Sequence, residues 1–216
     1  MGECEVLRMR KKPNLDKRRE NCFEIIPKNP ESLRGRWKET FGFDRICVEI
    51  GCGKGRFITG NAHLDPDTLF IGIEREQNVF VMAAEKAIRE GLKNVLFMDV
   101  DAANICEIFE KGEISGIYLN FSDPWPKKKQ AKRRLTHGDF LTRYDEVLSD
   151  DGFIFFKTDN SKLFEFSLNS MADYGLRLSN ITFDLAASGL PNVVTEYESR
   201  FMEQGMNIYR VEARKK

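Results

Sequence analysis

The stretch Ile46-Cys47-Val48-Glu49-Ile50-Gly51-Cys52-Gly53-Lys54-Gly55-Arg56-Phe57 decides the fold. An apolar, β-branched run stops at three alternating glycines, and an amphipathic pattern resumes at Phe57. Glycine reaches positive φ and lets a ligand approach the backbone with no Cβ in the way. A turn of this kind after a first strand opens a helix N-terminus, which in open α/β sheets makes a cofactor site. The spacing is E-x-G-x-G-x-G. A dinucleotide fingerprint would put its third glycine at position 56, which is Arg56. The turn therefore points to S-adenosylmethionine rather than NAD.

Strands and helices alternate outward from this turn. Ile46–Ile50 reads as strand one, with its helix from Gly55 to about His63. Leu69–Glu74 is a continuous apolar run of the kind a buried parallel strand shows. Asn78–Arg89 carries apolar residues at helical spacing, with Gly91 as its C-cap. Val95–Met98, Ile114–Phe121 and Phe153–Thr158 read as strands; Ala103–Lys111, Asp139–Leu148 and Lys162–Tyr174 read as helices. Arg177–Phe183 and Met206–Ala213 read as two last strands, separated by a loop containing Gly189-Leu190-Pro191. This rhythm implies a parallel sheet with helices on both faces.

The chain of 216 residues suits one α/β domain over residues 36–216, preceded by a basic arm at 1–35. That arm holds Arg8, Arg10, Lys11, Lys12, Lys17, Arg18 and Arg19 with little apolar periodicity, and reads as irregular, either a solvated tail or a clamp on phosphates. No stretch nears the ~18 apolar residues of a membrane span. No secretory leader or myristoylation signal is expected, since an apolar h-region is missing and Val6 stands where Ser or Thr would be needed. Five scattered cysteines and two distant histidines encode neither a disulfide framework nor a metal site, so a reducing cytoplasm is the expected compartment. Lys plus Arg and Asp plus Glu both number 34, yet this balance hides two positive patches, Arg8–Arg19 and Lys127–Arg134.

Four acids fall at the expected C-terminal tips of strands, where ligands of such sheets sit. Glu49 closes strand one. Glu74 closes strand two about 20 residues past the turn, where a carboxylate can accept ribose hydroxyls. Asp101 follows strand three, where it can accept from an adenine amine, and Asp123 follows strand four. Asp123 lies in Asn120-Phe121-Ser122-Asp123-Pro124-Trp125-Pro126, a loop stiffened by two prolines, with Trp125 offering a face for a base. Directly after it comes Lys127-Lys128-Lys129-Gln130-Ala131-Lys132-Arg133-Arg134, which would hold a polyanion over the reacting centre.

These residues, together with Lys157-Thr158-Asp159-Asn160 and Thr195-Glu196-Tyr197-Glu198-x-Arg200-Phe201, resemble the bacterial tRNA (guanine-N7-)-methyltransferase family from about residue 8 onward. The resemblance implies a class I methyltransferase fold with strand order 3-2-1-4-5-7-6 and the last strand antiparallel. It implies S-adenosylmethionine as methyl donor, tRNA as partner, and guanine 46 of the variable loop as acceptor, in a monomer or homodimer. Carried over by position, Glu49, Gly51, Gly53, Gly55, Glu74, Asp101 and Asp123 match the cofactor side. Lys127, Asp159, Thr195, Glu196, Tyr197 and Glu198 match the substrate side, and Lys129, Lys132, Arg133 and Arg134 the RNA side. Gln130-Ala131 stands where related sequences carry histidine. Asp99 and Asp101 both follow strand three, which leaves the adenine partner open between them.

Guanine N7 bears a lone pair and no proton, so this chemistry needs alignment rather than a general base. Asp123 is expected to position and to stabilise developing charge. Asp159 and Glu198, acceptor-only when ionised, suit the N1–H and N2 amine of guanine. Two other readings remain at this level. One is a methyltransferase acting on an exocyclic base amine. The other is a catalytically silent RNA-binding protein on a Rossmann-like scaffold.

Overall fold

The computed structural model describes residues 14–215. The part of the basic patch at Arg8–Lys12 lies outside the described residues. One seven-stranded sheet organises the rest, in the order β3-β2-β1-β4-β5-β7-β6. The strands are β1 (Arg45–Ile50), β2 (Thr68–Ile73), β3 (Val95–Met98), β4 (Ile114–Asn120), β5 (Leu148–Thr158), β6 (Arg177–Thr182) and β7 (Tyr209–Arg214). β1 to β5 pair in parallel, while β7 runs antiparallel between β5 and β6. The expected strand order and antiparallel last strand are therefore observed.

The period-2 geometry of the strands sends alternate residues to two cores. One face carries Cys47, Phe70, Val95 and Phe97 against the helices α3 (Arg56–Leu64) and α4 (Gln77–Arg89). α1 (Leu15–Glu20) also packs there through Leu15, with Cys22 and Ile26 alongside, so the described end of the basic arm is held against the domain. The opposite face carries Val48, Ile71, Ile117, Leu119 and Phe156. It is covered by α2 (Trp37–Phe41), α5 (Ile105–Ile108), α6 (Gly138–Val147) and α7 (Ser161–Tyr174). Trp37 is fully buried, and its indole N–H donates to the Ile108 carbonyl at 3.0 Å.

Three differences from the sequence reading have local causes. Residues 15–20 and 37–41 are helical, because Leu15 and Trp37 bury single apolar anchors too isolated to show a period. The segment expected as one helix over Ala103–Lys111 is a 3-10 turn at Ala102–Asn104 followed by the short α5. Most consequential, α8 (Glu196–Glu203) occupies part of the span read as loop. The Thr195 hydroxyl accepts from the Glu198 N–H at 3.0 Å, while the Glu198 carboxylate accepts from the Thr195 N–H at 3.3 Å. This is a capping box, and T-x-x-E at 195–198 was its readable signal.

Gly55 shows why the turn needs glycine. Its φ is 82°, and a Cβ there would meet the Ala83 Cβ of α4 at 2.9 Å. Gly55→Ala should therefore lower stability by about 1–3 kcal/mol through strain and overlap. At about 2–4 °C per kcal/mol, thermal unfolding should show a drop of several degrees.

Candidate functional site

The register of the parallel strands builds the site. Ile50 pairs with Ile73 and Leu119, and Asn120 with Lys157, so the chain leaves β1, β2, β4 and β5 at one level. The glycine turn, Glu74, the Asp123 loop and Asp159 all emerge there. Gly51 and Gly53 have φ of 77° and 56°, and a Cβ on either would meet nothing within 4 Å. The turn thus presents bare backbone to open space. Glu74 fastens it from the side, accepting from the Gly53 N–H at 3.1 Å and from the Glu76 N–H at 2.9 Å.

Beneath the turn lies a carboxylate short of partners. Glu49 is 3% exposed; one oxygen accepts from the Asn120 amide at 2.8 Å, and the other has no partner. The Asn120 carbonyl oxygen and the Ser122 hydroxyl are likewise buried and unpartnered. Buried polar atoms left unsatisfied are rare and call for a ligand or another explanation. Burial pushes the Glu49 carboxyl up to about 8, with Asn120 and Lys157 pulling the other way. A cationic donor beside its free oxygen would relieve that cost. S-adenosylmethionine carries both an ammonium and a sulfonium, so the acceptors left unpartnered here fit it.

On the adenine side, Asp99 and Asp101 are engaged differently. Both Asp99 oxygens take the Arg19 guanidinium, at 2.5 and 2.9 Å, from α1. Asp101 caps the 3-10 turn at the Ala103 N–H, 2.9 Å, and faces Arg75 at 3.1 Å on the surface.

The Asp123 loop is braced from two directions. Phe121 and Trp125 both take positive φ, 52° and 41°. The Phe121 N–H donates to the Lys157 carbonyl at 2.9 Å. The Phe121 ring lies near-parallel to Tyr197 and Phe201 of α8, at 6.3 and 6.0 Å between centroids. Arg134 donates to the Pro124 and Trp125 carbonyls at 3.0 and 2.9 Å, so it holds the loop's shape. Arg133 lies over the Trp125 ring at 4.9 Å. That guanidinium covers a ring face expected to take a base, whereas the Tyr197 ring is 59% exposed. The 3-10 turn Lys128–Arg133 leaves Lys127, Lys129 and Lys132 exposed on the rim that carries the exposed Asp123.

On the substrate side, Asp159 is half-buried at the tip of β5, and Glu196 is half-buried on α8. Glu198 is turned inward. It is 2% exposed and accepts from Lys157, at 2.9 Å, and from Asn192, at 2.5 Å, besides closing the capping box. Its oxygens are engaged within the chain, which sequence inspection does not reveal because Lys157 lies far off in the chain. His63 pairs with Glu90, and His137 caps α6, both outside this constellation. Among the described residues no group of three or more His, Cys, Asp or Glu could hold a metal ion, and no helix is long and apolar enough to cross a membrane.

Fold and site define a class I, S-adenosylmethionine-dependent methyltransferase. A family model described as "Putative methyltransferase" matches residues 44–211. The tRNA (guanine-N(7)-)-methyltransferase of Geobacillus kaustophilus is 50% identical over 210 residues, covering 96% of each chain. That of Bacillus cytotoxicus is 48% identical, covering 96% of this chain and 97% of its own. The chain belongs to the tRNA (guanine-N(7)-)-methyltransferase family. Solved structures share the fold: an antibiotic-related methyltransferase aligns with a TM-score of 0.63 at 20% identity, over 83% of this chain and 92% of its own. A SAM-dependent methyltransferase from Aquifex aeolicus gives 0.54 at 14% identity, over 94% and 98%.

The raised Glu49 carboxyl has a testable sign. The folded state holds a proton that the unfolded chain, near 4.5, releases. Stability of the ligand-free protein should thus fall as pH rises from about 4.5 through about 8. Glu49→Gln should flatten that part of the profile and weaken binding of S-adenosylhomocysteine. Thermal melts across this pH range, with calorimetry of the ligand, check both.

Proposed function

We propose that this chain transfers a methyl group from S-adenosylmethionine to N7 of guanine 46 in the tRNA variable loop. One juxtaposition carries the reading: the open glycine cradle over the under-partnered Glu49 shares a rim with Asp123 and its basic turn. The names of the similar proteins supply the tRNA and the guanine N7. When bound, the cofactor supplies an electrophilic methyl on sulfur. The chain's task is then to bind, orient and stabilise.

Glu49 offers its free oxygen to the cationic amino-acid end. The remaining lone pairs of Glu74 accept ribose hydroxyls. Asp101 takes the adenine amine, because it is the more exposed of the two and its Arg75 partner lies at the surface, whereas Arg19 occupies both Asp99 oxygens. Guanine N7 has an in-plane lone pair and no proton, so none of these residues has to act as a base. In-line alignment of the two substrates supplies the rate. Asp123 stands at the rim as an exposed carboxylate, placed to stabilise positive charge arriving on the purine.

Asp159 is the acceptor available for the Watson–Crick edge, since Glu198 is held internally. The exposed Tyr197 ring, backed by Phe121 and Phe201, is the surface on which a base leaving its stack can rest. Lys127, Lys129, Lys132 and Arg133 face phosphates, while Arg134 braces the loop.

Incubation of unmodified tRNA with labelled cofactor, followed by nucleoside analysis and mapping, should give 7-methylguanosine at position 46. A methyl on N2 or N6 would indicate the exocyclic-amine chemistry instead, and no transfer would support the silent RNA binder. Asp123→Ala should lower kcat by about 100-fold or more with the melting temperature nearly unchanged. Reversing Lys132 and Arg133 to Glu should weaken tRNA binding and reduce its log–log salt slope by about one to two. An unaltered slope would remove the RNA role from this turn.

A further inference from the structure

Lys157 is the penultimate residue of β5, in the interior of the sheet, where its register partners are Asn120 on β4 and Arg210 on β7. Its side chain is 4% exposed. The ammonium donates to Asn192 Oδ1 at 2.8 Å, the Val193 carbonyl at 3.1 Å and Glu198 Oε2 at 2.9 Å. Those three bonds use all the donors a lysine has. The same ammonium lies 4.7 Å above the Phe57 ring, in the first turn of α3 just past the glycines. Its main-chain carbonyl receives the Phe121 N–H, where the chain turns toward Asp123.

A buried ion pair is seldom the most stable filling of such a place, because desolvation offsets the Coulomb gain. What this one does achieve is definite. Between β6 and α8 the chain forms no helix or strand, and few bonds tie it to the sheet. Arg210 holds the Pro191 carbonyl at 2.8 Å, and Lys157 holds the next two residues together with Glu198. Glu198 closes the cap of α8, so Lys157 sets where that helix begins.

We propose that Lys157 is a positioning residue for the methyl acceptor. Without touching RNA or cofactor, it locks residues 192–198 against the tips of β4 and β5, and so fixes Thr195, Glu196 and Tyr197 relative to Asp123. The inference rests on the reading of 195–198 as the substrate side. If the ammonium is lost, Glu198 stays buried with no countercharge and must swing toward water, carrying the cap with it. Glu74 and the glycines make no bond to this lock; Glu49 feels the Lys157 charge through space, a charge that Lys157→Arg retains.

Lys157→Met and Lys157→Arg, assayed beside the wild type, test it. In Lys157→Met the KM for tRNA should rise about tenfold or more, well beyond any loss of S-adenosylhomocysteine affinity by calorimetry. Lys157→Arg keeps the charge and should recover most of the lost KM. A folded Lys157→Met with unchanged KM overturns the proposal. So does equal loss of cofactor affinity with no recovery by arginine, which marks a merely structural lysine. Should Lys157→Met lack a cooperative melt, Asn192→Ala removes one acceptor at an exposed position. It should raise the KM for tRNA at unchanged cofactor affinity, and an unmoved KM again overturns the proposal. A wild-type product methylated at another base atom would refute the guanine-N7 reading yet leave these comparisons intact.

Discussion

A short row of buried polar groups at the ends of three adjacent strands sets the terms for the rest of this structure. Glu49 on β1 is held by Asn120 on β4, and Lys157 on β5 reaches over to Glu198. Charges so deep are tolerated only when paired or hydrogen-bonded. Lys157 and Glu198 satisfy each other, and in doing so draw the segment before α8 onto the sheet. Glu49 is satisfied on one side alone. The imbalance leaves unpartnered acceptors beside a turn of bare backbone, which is the basis for placing a cationic ligand there.

Around that row, several cations that look like RNA ligands serve the protein's own architecture. Arg18 pairs with Glu85 and Arg19 with Asp99, which holds α1 against α4 and the tip of β3. Arg134 fastens the Asp123 loop through two carbonyls. A planar guanidinium with several fixed donors suits such bracing better than an ammonium does. Lys127, Lys129, Lys132 and Arg133 are left facing solvent.

Among bulky side chains, backbone strain falls in the Asp123 loop. Phe121 and Trp125 hold positive φ within one loop, a conformation that bulky residues rarely keep without support. The support comes from Arg134 on one side and from the aromatic contacts with α8 on the other. The Asp123 carboxylate is thereby carried on a loop braced from both sides, which suits the positioning role proposed for it.

How much of this could be read from residues alone follows from the range of the forces involved. The glycine turn, the apolar strands and the acids after them are local patterns, since φ preference and alternation act over a few residues. The parallel strands, the cofactor class and the tip positions of Glu49, Glu74, Asp101 and Asp123 were therefore legible, whereas the sheet order came only with the family resemblance, because local patterns do not say which strands pair. The capping box at Thr195–Glu198 was legible too, but it lay in a stretch whose apolar pattern is too short to announce a helix. The inward turn of Glu198 and the pairing of Arg19 with Asp99 were decided only when distant segments met, and the covering of Trp125 only when the 3-10 turn folded Arg133 back over it. A charge written in a sequence has a sign but no neighbour, and it is burial beside a particular partner that determines whether it binds a ligand or holds the chain together.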